Sequence, residues 1–446
     1  MKVVLAVHHF PPVYTGGAEL RAHRTASALM SRGYEVHVIC VERVDVSHPE
    51  GEELTWEDDF YEHIPVRRLF FDRHKAPDPA RWEYDNPWVG EHVYEYLKQV
   101  SPQIFHLISG YMITGSALQA AMQQGIPTVV TLTDFWFLCP RFTMLRSNGE
   151  LSTLPLDAAT CARCVAEEQR RFSLPSRFSP PGLMEVFWRA QKGRIDQAQA
   201  RIDFLRNILQ RVDAIICPSQ FLKSMFIQSG FGGDQIVYSR QGRDFPDLDP
   251  ARLMKTPSDS LRVGYLGQII PIKGVHVLFE AVRQMEGTPI SVKAYGDMTP
   301  FPDYTQQLKG LVAIDSRLSL EGKYDSSDLS HVFSDLDVIV VPSEWYENSP
   351  NVILEAFAHR TPVVASNMGG MAELVQDGVN GLLFEPGNPL SLAKQLRRLT
   401  EDPALLTELQ KGIEPVKSVR EEIDQLEEIY RGVLEKRPLP KEVLWK

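Results

Sequence analysis

Residues 341–366 read VPSEWYENSPNVILEAFAHRTPVVAS, and their order of signals decides the fold. An apolar run ends near Pro342, a polar loop follows, and a helix is read from Ser349-Pro350. Serine is a good N-cap and proline is preset for the first helical position. The run PVVAS then begins another strand. Strand, loop, helix and strand, with the strands apolar on both faces, is the repeat of a parallel sheet covered by helices. A helix so placed aims its positive end and free N–H groups at the carboxyl end of the sheet, where α/β folds bind ligands. Glu347 lies in the loop before it and Glu355 in its second turn. A loop carboxylate can accept from sugar hydroxyls, a helix carboxylate can reach ribose hydroxyls, and a diphosphate between them would meet the N-terminal amides.

The same alternation runs outward along most of the chain. Strands are read at 2–7, 35–41, 103–107, 128–132 and 214–217, and again at 262–266, 291–295, 337–341 and 362–365. Gly33 and Gly125 stand where helices should stop, and Ser219 is placed to cap a helix. The fold class is α/β, with two Rossmann-like doubly wound domains facing a cleft. Residues 245–260, FPDLDPARLMKTPSDS, break the rhythm and separate them. The domains are read as 1–245 and 260–414, followed by a charged helical tail. Residues 135–211 are too long for a simple connection and form an insertion in the first domain.

The length of 446 residues accommodates two large domains. With 47 basic and 58 acidic residues the formal charge is −11, which argues against nucleic acid as a partner. No apolar run reaches the ~20 residues that span a bilayer. The opening MKVVLAVHHF reads as a first buried strand rather than a signal peptide. Five cysteines are too few for a disulfide scaffold, so a reducing cytoplasm is expected.

Two further segments carry glycine at strand-to-helix turns. In GYLGQIIPIKG, residues 264–274, Gly267 lets a phosphate approach the backbone and Lys273 supplies a point charge. In FPPVYTGGAE, residues 10–19, Gly16 and Gly17 offer the same backbone access. These segments, with Cys217-Pro218-Ser219, Glu347-x7-Glu355 in ENSPNVILEAFA, PVVASNMGGMAELV and DGVNGLLFEPG, resemble the GT-B retaining glycosyltransferases of glycosyltransferase family 4, also called group 1, over nearly the whole chain. The resemblance implies a retaining, metal-independent transferase, active in polysaccharide or glycoconjugate biosynthesis. Its donor would be a UDP-, GDP- or ADP-linked sugar, with no further cofactor, and its acceptor a saccharide or lipid-linked saccharide. It implies that Glu355 binds the ribose and that Glu347 holds the sugar with the backbone of Asn348, Ser349, Pro350, Asn351 and Val352. Lys273, beside Gly267 and Gln268, would neutralise the diphosphate, and Gly16 and Gly17 would close on it. It also implies that the last helix, about 415–446, packs back on the first domain.

The departures from the family pattern are specific. Gln268 stands where Arg is usual, and Thr133 where His is usual ahead of Asp134, so that Thr133 and Asp134 are sugar-contact candidates beside His106. His9, ending the first strand, is the catalytic histidine candidate; a core role for His106 is the competing reading. The segment DFWFLCPR followed by CARC is similar to a subgroup with a cysteine-containing insertion. Cys139, Cys161 and Cys164 could bind a metal with Asp157 or a water, against the alternative of plain thiols. From 163 to 211 there are ten Lys/Arg and five Asp/Glu, a net of +5 (10 − 5). Together with Leu183, Val186, Phe187 and Trp188 this fits peripheral contact with the inner face of a membrane, or a solvated insertion packed on its domain. The triplets 247–249 and 335–337, each Asp-Leu-Asp, are not read as metal sites. A catalytically silent sugar-nucleotide scaffold and a GT-B epimerase are the alternative functions.

Overall fold

The computed structural model describes residues 1–46, 53–173, 181–245, 248, 253, 255, 258–325 and 328–439. It divides into two compact units, residues 1–241 with 419–446, and residues 242–418.

The first unit is built on an eight-stranded sheet. Its strands are β1 (Lys2–Val7), β2 (Glu35–Arg43), β3 (Leu54–Tyr61), β4 (Ile64–Phe71), β5 (Ile104–Ile108), β6 (Thr128–Thr131), β7 (Ala214–Cys217) and β8 (Ile236–Tyr238). They lie in the order β3-β4-β2-β1-β5-β6-β7-β8, all parallel except β3 against β4. Val3 to Val7 of β1 are fully buried, as a central strand covered on both faces requires. Beside the expected strands the structure adds β3, β4 and β8. β3 reads LTWEDDFY and is largely exposed, an edge strand whose acids discourage further pairing. Its Asp58 takes the Arg67 guanidinium on both oxygens, at 2.7 and 2.6 Å.

The helix Val419–Leu434 belongs to this unit. Val419, Ile423, Leu426, Tyr430 and Val433 recur every three or four residues and join the core of Val3, Leu5, Ala22, Ala26 and Leu29. Burying each large apolar side chain contributes roughly 1.5–3 kcal/mol of transfer free energy. Arg21, on the helix Gly17–Ser31, donates to Glu422 at 2.6 Å, with both residues buried.

The second unit has six parallel strands: β9 (Leu261–Leu266), β10 (Ile290–Tyr295), β11 (Leu318–Gly322), β12 (Val338–Val341), β13 (Val363–Ser366) and β14 (Gly381–Phe384). Their order is β11-β10-β9-β12-β13-β14. The chain leaves β9 in one direction and β12 in the other, which makes the β9/β12 boundary the topological switch point. In the first unit the corresponding boundary is β1/β5.

Candidate functional site

The loops after β9 and β12 emerge side by side at the switch point of the second unit. The Glu344 amide donates to the Ile272 carbonyl at 2.9 Å and ties them together. Gly274 has φ +70°, and a Cβ there would stand 2.0 Å from the Pro342 carbonyl oxygen. Only glycine allows this approach, and it fixes Lys273 against the second loop. Lys273 Nζ lies 2.5 Å from Glu347 Oε1. The same oxygen accepts from Ser343 Oγ and Trp345 Nε1, each at 3.0 Å. Glu347 is 7% exposed, so these three donors offset the cost of burying its charge.

The Glu347 loop is braced from behind. Gly370 N–H donates to the Glu347 carbonyl at 2.7 Å, and a Cβ at Gly370 would fall 1.7 Å from the Asn348 carbonyl oxygen. The helix that follows is Asn351–Ala358, with Pro350 as its N-cap and no side-chain cap. This corrects the expected Ser349 cap: proline's fixed φ serves the cap position, and its missing N–H removes one donor that would need a partner. Asn348 and Pro350 are buried, Asn351 and Val352 half-buried. Glu355, in the second turn, accepts from Arg243 Nη2 at 2.8 Å. Gln268 is exposed; Tyr265 Oη donates to its carbonyl at 2.7 Å and holds the turn after Gly267.

At the β1/β5 boundary of the first unit the residues sort differently from expectation. His9 is engaged, with Nδ1 2.6 Å from the Val41 carbonyl oxygen and its ring stacked on Tyr14 at 3.8 Å. Burial lowers its pKa, partly opposed by that hydrogen bond. His8, set second to His9 from sequence, puts Nε2 3.2 Å from Glu19, and its buried Nδ1 has no hydrogen-bond partner among the described residues. Burial pushes Glu19 up, but the hydrogen bond and charge of His8 outweigh it and hold the carboxyl below its ordinary value. A Cβ at Gly16 would lie 2.6 Å from Glu19 Oε2. The Glu19 carboxylate thus lies close to Gly16, at the start of the helix Gly17–Ser31.

Asp134 accepts from the Trp136 amide at 2.8 Å and from Thr133 Oγ1 at 3.2 Å. Burial raises its pKa against the pull of that amide and of His8. His106 is a core residue, which corrects its reading as a sugar contact. It is 2% exposed, with Nδ1 2.7 Å from Tyr430 Oη and Nε2 2.8 Å from Thr131 Oγ1. Burial drives its pKa down to about 3.

Cys139, Cys161 and Cys164 are free thiols, and burial pushes Cys161 up to about 12. Among the described residues no group of three His, Cys, Asp or Glu side chains could hold a metal ion. Asp337 receives Arg262 at 2.6 Å, a structural pair; Asp247 and Asp249 lie outside the described residues. In the insertion, Leu183 and Val186 are 63% and 68% exposed. Trp188 is instead buried against Met184, Ala166 and Phe172. Among the described residues no helix is long and apolar enough to cross a membrane.

Residues 15–244 match the family model described as Glycosyltransferase Family 4, and residues 260–402 the one described as Glycosyl transferases group 1. The lipopolysaccharide core biosynthesis glycosyltransferase LpsE of Rhizobium meliloti is 28% identical over 48% of this chain and 61% of its own length. A D-inositol 3-phosphate glycosyltransferase of Catenulispora acidiphila is 30% identical over 42% of this chain and 48% of its own. The chain thus spans about half the length of the curated relatives it matches. Among solved structures, sucrose-phosphate synthase from Thermosynechococcus elongatus superposes with a TM-score of 0.67 at 19% identity, covering 98% of this chain and 99% of that one. Anabaena HepE in complex with UDP-glucose gives 0.61 at 20% identity, over 98% and 99%. The fold is GT-B, two Rossmann-like α/β units.

Proposed function

The chain belongs to glycosyltransferase family 4, and from that premise we propose that it is a retaining, metal-independent glycosyltransferase. It moves a sugar from a UDP-, GDP- or ADP-linked donor to a saccharide or lipid-linked acceptor in polysaccharide or glycoconjugate biosynthesis. The observation that carries this reading is the Lys273–Glu347 contact at the β9/β12 switch point, beside a helix start without a side-chain cap.

The donor lies on the second unit. Glu355 binds the ribose hydroxyls, with Arg243 holding its carboxylate. The diphosphate meets the amides near Asn351 and Val352 and the Lys273 ammonium, which exchanges Glu347 for phosphate. Glu347 turns to the sugar hydroxyls through Oε2, since Oε1 carries all three of its donors. Negative charge developing on the leaving diphosphate is then stabilised by Lys273 and the helix start, an electrostatic contribution that needs no metal ion. Gly267 gives backbone access, and Gln268 offers a neutral amide where a cation would offset more charge.

The first unit takes the acceptor. His8, Asp134 and Thr133 are its polar candidates, and Gly16 and Gly17, beside the Glu19 carboxylate, offer their backbone to the phosphates and acceptor. The cysteine-containing insertion shapes the acceptor side. Its basic stretch, with Leu183, Val186 and Phe187 outward, rests on the inner face of a membrane. The names of the relatives and the UDP-glucose complex of HepE support a nucleotide-sugar donor. Gln268 and Thr133 favour the alternative, a catalytically silent scaffold, but Lys273, Glu347 and Glu355 are all retained.

Proton NMR of the sugar released from the accepted donor tests the mechanism. The donor's own anomeric configuration, formed first and undiminished by EDTA, is expected. Inverted sugar, or loss of turnover with the chelator, would overturn the retaining or metal-independent reading respectively.

A further inference from the structure

The exposed edge of the first unit holds a groove that the donor chemistry does not use. It lies between β3 and the helix Pro87–Val100, has a volume of about 450 Å³, and is lined by Trp56, Arg67, Glu91, His92, Glu95 and Tyr96. In the sheet order β3 stands three strands from β1, roughly 14 Å from it at ~4.8 Å per strand.

Three observations define what the groove fits. Trp56 is 51% exposed, and its indole lies 4.7 Å from the His92 ring, so a wide aromatic face is presented to solvent from a rigid strand. Such a face favours the C–H side of a flat, partly apolar ligand. His92 Nε2 is buried and without a hydrogen-bond partner among the described residues. Burial and the neighbouring Arg67 charge lower the His92 pKa to about 4, so the ring is neutral at pH 7 and is suited to a group that both donates and accepts. Glu91 and Glu95, four residues apart on one helix face, add exposed acceptors on the rim. Lys98 pairs with Glu95 at 3.0 Å only at the surface.

The charge balance narrows the class. Arg67 is the cation of the groove, and it is committed to Asp58 and stacked 4.3 Å from the Tyr96 ring. The rim carboxylates therefore turn away anionic ligands. Aromatic face, neutral imidazole nitrogen and carboxylate acceptors together match a chain of hydroxyl groups on apolar rings. We propose that this groove binds an uncharged oligosaccharide, as a docking site for the growing acceptor glycan away from the reacting sugar. The acceptor role rests on the transferase reading above; glycan binding does not.

The test omits donor. The full chain is titrated by calorimetry with neutral gluco-, galacto- and manno-tetrasaccharides, with a heparin tetrasaccharide and with tetralysine, in wild type, Trp56→Ala and Glu91→Gln. Trp56 is half exposed, and unchanged melting of its variant confirms the fold. Binding of at least one neutral tetrasaccharide, weakened about tenfold by Trp56→Ala and severalfold by Glu91→Gln, is the expected result. Binding of tetralysine or heparin alone, no saccharide binding, or saccharide binding indifferent to Trp56 overturns the proposal. Acceptor-free donor turnover, measured in parallel, is expected to be unchanged in Trp56→Ala; its absence in wild type would count against the transferase reading and leave the binding result standing.

Discussion

Lys273 Nζ and Glu347 Oε1 stand 2.5 Å apart although 74 residues separate them in the chain. In the proposed donor reading Lys273 serves the diphosphate, Glu347 the sugar and Glu355 the ribose, so nucleotide binding would exchange one partner of Lys273 for another. On that reading Glu347→Ala removes a sugar contact, whereas Glu355→Ala removes a ribose contact. Calorimetry against the nucleoside diphosphate separates the two: Glu355→Ala is expected to weaken binding about tenfold or more, and Glu347→Ala to leave it near wild type while abolishing transfer. Unchanged binding in Glu355→Ala would refute the ribose assignment.

Gln268 is exposed beside Gly267, on the turn that Lys273 shares. Gln268→Arg adds one charged donor there and is expected to tighten diphosphate binding by roughly 1–2 kcal/mol, the scale of a charge-assisted hydrogen bond. An unaltered affinity means that this side chain does not face phosphate.

Gly370 cannot carry a side chain without displacing the Asn348 carbonyl. Gly370→Ala is expected to cost about 1–3 kcal/mol, as overpacking does. At roughly 2–4 °C per kcal/mol for a unit of this size, melting should fall by about 2–12 °C. Thermal unfolding of the full chain checks it, and an unshifted transition would show that the brace on the Glu347 loop yields freely.

His106 sets an acid limit on the first unit. Its pKa lies near 3 in the fold, below the ordinary value of 6.5, so the native state favours the neutral ring. The stability this contributes is fully present above about pH 6.5 and is lost as pH falls toward 3. At 1.36 kcal/mol per unit, the loss approaches roughly 5 kcal/mol. NMR of the native protein should show a neutral His106 ring at pH 4.5; a midpoint near 6.5 would contradict its burial between Tyr430 and Thr131.

The central strands were legible because burial on both faces leaves continuous apolar runs, and 2–7 and 214–217 coincide with β1 and β7. The strand LTWEDDFY was not, because an exposed antiparallel edge need not alternate and its Asp58 and Asp59 are explained by Arg67 and Arg68 across the pair. Ser219 accepts from Leu222 N–H as a cap should, while Ser349 lost that place to Pro350. Glu347 and Glu355 were visible from spacing and from their flanks. Their neighbours Arg243 and Lys273 come from 112 and 74 residues away, and only the fold shows which carboxylate each one meets. His8 and His9 are adjacent in a strand end, so sequence could not say which ring the backbone would engage. The structure gives His9 the Val41 carbonyl, while His8 Nδ1 has no partner among the described residues.

The measurement that bears most directly on the transferase reading is release of nucleoside diphosphate from a panel of UDP-, GDP-, ADP- and TDP-sugars without acceptor, with Glu355→Ala as the blank. Slow hydrolysis of one donor, absent in the blank, is predicted and would identify the donor. Silence across the panel, with no nucleotide-induced rise in melting temperature, would contradict a working donor site at Lys273, Glu347 and Glu355.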